Sequence, residues 1–144
     1  MIAVDSNILV YASRTDSPWN GASFSALRSL AESGAPWAIP WPCVHEFVSV
    51  VTSGRFYDPP TAVETAFDQV GEWFASPSLV LLSEGAGHFA ALKEVVAGLS
   101  VRGTAIHDAK IAALCIANGV TELWTADRDF ARFPALRVRN PLIP

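Results

Sequence analysis

Asp5, Glu46, Asp108 and Asp127 each stand at the edge of an apolar segment, an unusual place for four carboxylates. Asp5 ends the run Ile2-Ala3-Val4, and Asp127 ends Leu123-Trp124-Thr125-Ala126. Glu46 and Asp108 sit early in two segments with helical spacing. An unpaired carboxylate in apolar surroundings costs several kcal/mol or shifts its pKa until it is neutral. A divalent cation relieves that cost for several carboxylates at once, and Mg²⁺ or Mn²⁺ prefers oxygen ligands. Two such ions roughly 3.5–4 Å apart could activate a water and stabilise the leaving oxygen of a phosphodiester. The pattern reads as metal-dependent chemistry on phosphate esters.

Each acid also has a plainer reading. On a helix, Asp108 shares its face with Ile111, Ala112 and Cys115, all apolar, so its carboxylate points toward the core side. A first-turn acid favoured by the helix dipole, worth roughly 0.3–1 kcal/mol, explains an exposed carboxylate better than an inward one. Glu46 shares a mixed face with Ser49, Val50 and Ser53, as an edge-exposed glutamate also would. Asp5 and Asp127 could each cap the segment that follows. The joint arrangement favours a site, because two strand ends and two helix starts can converge in one fold.

Polar neighbours extend the set. Asn7 either orients Asp5 or a water, or caps Ile8-Leu9-Val10-Tyr11-Ala12. Thr125 lies two residues before Asp127 on a strand, shares its face and could reach a water of the site. Asp129 is either an accessory ligand, the reading preferred here, or the N-cap of the turn Phe130-Ala131-Arg132. Arg128 and Arg132 belong to a C-terminal basic cluster with Arg137 and Arg139 that could hold phosphates, although a solvated surface is the ordinary use of scattered arginines. His45 and His107 each precede a quartet acid but lie about 100° from it on a helix, and they read as structural or supporting. No Cys/His spacing resembles a zinc site, and no Ser-His-Asp set suggests itself.

The elements that must position these residues alternate. Short apolar runs at Ile2–Val4, 37–39, 79–82 and 121–126, with a shorter one near 136–139, read as strands. Between them lie helical blocks: 8–12; Phe24, Leu27, Leu30 and Ala31; 42–53; a block from Thr61 with Val63, Ala66, Phe67, Val70, Trp73 and Phe74 on one face; Phe89 to Leu99; and Ile106 to Asn118, stopped by Gly119. This order requires an α/β fold with a mainly parallel sheet and right-handed crossovers. In such sheets ligands bind beyond the carboxyl ends of the strands, where Asp5 and Asp127 fall.

The 144 residues form one domain on this reading, with no linker, repeat or low-complexity block. A hydrophobic content of 51% and a mean hydropathy of +0.30 place much of the chain in a core or an interface. The longest aliphatic run, Leu79-Val80-Leu81-Leu82, is too short to span a bilayer, so no membrane partner is expected. Met1 leads directly into a strand, and Cys43 and Cys115 look like reduced core thiols, which together point to the cytoplasm. The net charge of −4 does not exclude nucleic acid: with the quartet set aside, the ten remaining acids balance the ten Lys and Arg.

These blocks together resemble a PIN-domain nuclease. Asp5-Ser6-Asn7 is similar to the family's opening. So are Glu46 after Pro42-Cys43-Val44-His45, the segment from His107-Asp108-Ala109-Lys110 to Leu114, and Thr125-Ala126-Asp127-Arg128-Asp129-Phe130. The tail Phe130-Ala131-Arg132-Phe133-Pro134, followed by Asn140-Pro141-Leu142, resembles the VapC group of bacterial toxin–antitoxin modules. The resemblance covers essentially the whole chain. It implies a three-layer α/β/α fold around a central sheet of four to five strands. It also implies a Mg²⁺- or Mn²⁺-dependent endoribonuclease that blocks translation, with Asp5, Glu46, Asp108 and Asp127 as metal ligands and Asn7, Thr125 and Asp129 in support. The expected partners are an RNA substrate, a second copy in a homodimer, and a VapB-type antitoxin whose tail occupies the groove.

Two other readings use the same residues. A haloacid-dehalogenase-like phosphatase would use Asp5 as nucleophile but needs a second Asp two residues on, where this chain has Asn7. A catalytically silent PIN-like module would bind metal or RNA without cutting. A DNA-directed nuclease fits less well, because the chain lacks the insertions and basic runs that would grip long duplexes. The preference for single-stranded or looped RNA in a compact groove is mainly what the family resemblance implies.

Overall fold

A strand covered by helices on both faces must be apolar on both. The central strands Ile2–Val4 and Trp37–Pro40 obey that rule, whereas the edge strand Leu79–Leu82 leaves Val80 40% exposed. Ala3, Val4, Ala38, Ile39 and Leu123 are wholly buried. The computed structural model describes residues 1–144. In order the elements are β1 (Ile2–Val4), α1 (Ser6–Ser13), α2 (Asn20–Glu32), β2 (Trp37–Pro40), α3 (Trp41–Val51) and α4 (Val63–Phe74). There follow β3 (Leu79–Leu82), α5 (His88–Val96), α6 (Ala105–Ala117), β4 (Glu122–Trp124), a 3₁₀ turn (Arg128–Arg132) and β5 (Val138–Arg139).

The sheet has five strands in the order β3-β2-β1-β4-β5, and every pair is parallel. Right-handed crossovers then put α1 to α4 on one face and α5 with α6 on the other, giving three layers. The packing of α1 on α2 and α3, and of α5 on α6, agrees with that division. The strand order reverses beside β1, which pairs with β2 on one side and β4 on the other. Ile2 and Ala3 pair with Glu122 and Leu123, so β1 and β4 finish level and Asp5 and Asp127 emerge at the same sheet edge. This is the switch point at which open α/β sheets place their ligands.

The expected five strands and six helical blocks are all present, with boundaries differing by a few residues. Two details differ. Asn7 lies inside α1 and does not cap it, since the helix starts at Ser6 with Asp5 as its cap. Along α4 the apolar face is narrower than its sequence implies: Ala66 and Val70 are buried, whereas Val63 and Phe67 are 50% and 59% exposed. The reason is that α4 packs on α3 through a narrow stripe. Trp73 meets Phe47 edge-on at 4.8 Å between ring centroids, and Phe74 meets Trp41 at 5.5 Å.

Gly119 closes α6 at a φ of +73°, a conformation that costs an L side chain roughly 1–2 kcal/mol. A Cβ there would meet no atom within 4 Å, so the backbone conformation alone sets the penalty. Gly119→Ala should therefore lower stability by about 1 kcal/mol in a denaturant melt without altering the site. A neutral substitution would show that the turn after α6 relaxes freely.

Candidate active site

Asp5 is the organising residue of the site. It is 4% exposed at the C-terminal end of β1 and caps α1. Its Oδ1 accepts from the Ser6 backbone N–H at 2.7 Å, and the Cys43 thiol approaches the same oxygen at 3.5 Å. Its Oδ2 accepts from the Thr125 hydroxyl at 2.7 Å and the Asn7 amide at 3.0 Å. A carboxylate has about four lone-pair sites, so the protein itself engages most of them. Burial nevertheless pushes the Asp5 carboxyl above its ordinary value, against the hydrogen bonds from Thr125 and Ser6, and nearby Glu46 pushes the same way.

Asn7 and Thr125 tie the two strand ends together. The Asn7 amide donates to Thr125 Oγ1 at 3.0 Å as well as to Asp5, and its Oδ1 accepts from the Ala126 N–H at 3.0 Å. Thr125 Oγ1 also accepts from the Asp127 N–H at 3.0 Å. Asn7 thus takes the orienting role that the sequence offered as an alternative to capping. Thr125 is 1% exposed and its hydroxyl is fully engaged by Asp5, Asn7 and Asp127, so it acts on the protein's own groups and not on a site water.

Asp127 caps the 3₁₀ turn, its Oδ1 accepting from the Asp129 N–H at 2.8 Å. Capping therefore falls to Asp127, and Asp129 stands in the first turn with its carboxylate free of that duty. Carboxylate oxygens of Asp108, Asp127 and Asp129 lie within 4.8 Å of one another, close enough to share one cation. Asp108 is half-buried on α6 beside buried Ile111, Ala112 and Cys115. Burial first, then Asp127 and Asp5, raise its pKa, while Arg132 opposes them.

A cleft of about 210 Å³ gathers these groups: Asp5, Glu46, Asp108 and Asp127 all line it, as does Asn7. The four regions that contribute the quartet are far apart in the chain and meet in this one place. Glu46 is exposed on α3, with Val50 one turn on lining the same cleft. His45 stacks near Trp41 at 5.9 Å and lines no part of it, nor does His107. Arg132 is held by Asp129, its Nε donating to the backbone oxygen at 3.0 Å and its Nη2 lying 3.5 Å from the carboxylate. Arg128 is exposed and forms no ion pair. The sequence reading overlooked Cys43, for which no signal distinguished a core thiol from a neighbour of Asp5. It also overlooked Tyr11 and Tyr57, which line the cleft; Tyr11 was legible, since it falls one turn after Asn7.

The raised pKa values of Asp5 and Asp108 carry a sign. A carboxyl whose pKa rises on folding is protonated more readily in the native state. Its stabilising contribution is complete below the ordinary value of 3.8 and is lost as pH climbs through the native value. In EDTA, Asp108→Asn should melt higher than wild type near pH 7.5, and the difference should close as pH falls toward about 4. A difference independent of pH would mean that Asp108 carries no such strain.

A PIN domain model matches residues 2–136. Ribonuclease VapC43 of Mycobacterium tuberculosis is 36% identical over 142 residues, covering 99% of this chain and 96% of its own. Ribonuclease VapC48 of the same organism is 28% identical over 138 residues, covering 95% and 94%. Among solved structures, VapBC2 from Rickettsia felis, bound to a DNA fragment from its promoter, shares the fold with a TM-score of 0.70 at 23% identity, covering 97% of this chain and 98% of that one. VapC20 of M. tuberculosis, a toxin that cleaves the sarcin-ricin loop, gives 0.68 at 16% identity, covering 95% and 99%. With sequence and fold matched from end to end, this chain belongs to the PIN domain family and, within it, to the VapC ribonucleases.

Proposed function

We propose that this chain is a single-domain, divalent-metal-dependent endoribonuclease, the toxin of a toxin–antitoxin pair, which hydrolyses phosphodiester bonds in RNA and so inhibits translation. The observation that carries the reading is the meeting of Asp5, Glu46, Asp108 and Asp127 in one small cleft. Four carboxylates with no lysine or arginine among the residues lining the cleft make a site whose charge a divalent cation would relieve.

The donor set fits a hard ion. Every candidate ligand is a carboxylate oxygen, which favours Mg²⁺ or Mn²⁺ over softer metals. Asp108, Asp127 and Asp129 would hold it, with Asp5 and Glu46 completing the acidic wall. Such an ion, when bound, lowers the pKa of a water and stabilises the leaving oxygen. The chain supplies the rest. Asn7 and Thr125 fix Asp5 against rotation, and the capping bond of Asp127 fixes the turn that presents Asp129. Arg128, free of an acid partner, is available to an RNA phosphate, whereas Arg132 is engaged by Asp129.

In-line attack of water on phosphorus with departure of the 3′ oxygen leaves 5′-phosphate and 3′-hydroxyl ends. The ends of fragments cut from total cellular RNA test this route. Fragments with 5′-phosphate support it, and 2′,3′-cyclic phosphates would sink it, since they arise from attack by the RNA's own hydroxyl.

VapBC assemblies of similar fold support a VapB-type antitoxin as partner. A homodimer and a cytoplasmic location complete the reading. No helix is long and apolar enough to cross a membrane. The phosphatase reading loses ground on Asp5 itself, because a nucleophile needs a free oxygen and this carboxylate is 4% exposed with both oxygens engaged.

A further inference from the structure

Arg14, at the C-terminal end of α1, is a heavily committed arginine whose purpose the acidic chemistry does not explain. Its side chain is 11% exposed. Nε and Nη2 grip the Asp16 carboxylate at 2.9 and 2.6 Å, while Nη1 donates to the Pro59 carbonyl at 3.0 Å and the Thr61 hydroxyl at 3.2 Å. The guanidinium also lies over the Tyr57 ring, 4.3 Å from its centroid. With four of its five donors spent on the protein and its side chain 11% exposed, Arg14 is poorly placed to serve as a phosphate ligand. Its route to the site is through Tyr57, which lines the acidic cleft together with Tyr11.

We infer that Tyr57, with Tyr11, forms a nucleobase-stacking subsite beside the carboxylates, and that Arg14 is the residue that positions Tyr57 there. The inference rests on the ribonuclease reading and names what the cleft's aromatic wall recognises. A cation held by the carboxylates would take up the reacting phosphate, and the half-buried rings of Tyr11 and Tyr57 are the lining groups left to engage a base. A ring pinned by a guanidinium is a preorganised platform, and stacking on it accepts any base because every base has a π-face. A basic peptide arm would instead be drawn to the carboxylates and has less use for a fixed ring.

The test measures binding of a short, labelled single-stranded oligoribonucleotide to the intact protein in Ca²⁺, together with cleavage kinetics in Mg²⁺ or Mn²⁺. All variants are compared at a temperature where melting curves show them folded. Tyr57→Phe, which keeps the ring, should bind within about twofold of wild type. Tyr57→Leu and Arg14→Lys should bind about 5- to 150-fold more weakly, the range for loss of one base–aromatic stack. For Arg14→Lys the loss should fall on KM with kcat nearly unchanged, whereas a purely structural staple would lower the melting temperature and leave KM alone. An abasic ribose beside the mapped cut should weaken wild type by a similar factor and leave Tyr57→Leu unaffected, because the two changes remove one shared contact. RNA binding by Tyr57→Leu equal to wild type overturns the subsite while leaving the ribonuclease reading intact. So does loss of affinity for a basic peptide alone, which would assign the ring to a protein partner. Wild-type protein that neither binds nor cuts RNA overturns both.

Discussion

Asp108→Asn should cut RNA at least about 10²–10³-fold more slowly than wild type, with its fold intact. The substitution keeps the size and shape of the side chain and removes one charge. That charge is one of three whose oxygens lie within 4.8 Å of each other, so its loss weakens cation binding and removes electrostatic stabilisation of the reacting phosphate together. Folding should not suffer. Asp108 is raised in pKa by burial and by Asp127 and Asp5, which marks its charge as a burden on the metal-free protein. Loss of activity alongside an unimpaired melt separates a site residue from a scaffold residue. If the variant cleaves at the wild-type rate, the site assignment fails.

Thr125→Val should damage fold and activity together. Valine matches threonine in shape but leaves three partners of the hydroxyl short of a bond, the buried Asp5 Oδ2 at 2.7 Å and the half-buried Asn7 amide and Asp127 N–H at 3.0 Å each. Leaving buried polar groups unsatisfied costs about 1–3 kcal/mol each, although the Asn7 amide retains Asp5. A net loss of about 2–3 kcal/mol would lower the melting temperature by roughly 5–10 °C in a chain of this size. Cleavage should fall about 10–100-fold even where the protein is folded, the usual effect of removing a group that orients a ligand. Differential scanning calorimetry and initial rates check the two halves separately. A variant that melts like wild type would mean that Asn7 and water replace the hydroxyl at no cost.

Much of this could be read from the residues in order. The central strands were legible because double burial leaves an apolar signature: Ile2-Ala3-Val4 has no polar member and Asp5 stands where it stops. The edge strand Leu79 to Leu82 is as apolar in sequence and yet leaves Val80 40% exposed. Asp108 was legible from its helical face, since Ile111, Ala112 and Cys115 are all buried as their spacing requires. Periodicity failed on α4, where Val63 and Phe67 follow the apolar pattern and yet face solvent. Sequence spacing reports what a helix could bury, and the contacts α4 actually makes, Trp73 on Phe47 and Phe74 on Trp41, decide what it does bury.

Within the site, the sequence could name Asn7 and Thr125 but not choose between their roles. Capping, orienting and ligating all draw on the same polar atoms, and only the close approach of β1 and β4 shows that both residues serve Asp5. The Asp127–Asp129 exchange has the same origin. Either aspartate could cap the turn, and the carboxylate spared from capping is the one available to a cation. Tyr57 was out of reach altogether, because its place in the cleft depends on contacts made by Arg14, 43 positions earlier in the chain.

The most direct test of the central claim is the response of RNA cleavage to a divalent ion in purified protein freed of any antitoxin. Protein stripped with EDTA should leave total cellular RNA intact, and adding Mg²⁺ or Mn²⁺ back should produce discrete fragments. Fragments that form equally well in EDTA would contradict a metal-dependent carboxylate site. Folded protein that binds the ion and cuts no RNA would contradict the enzyme.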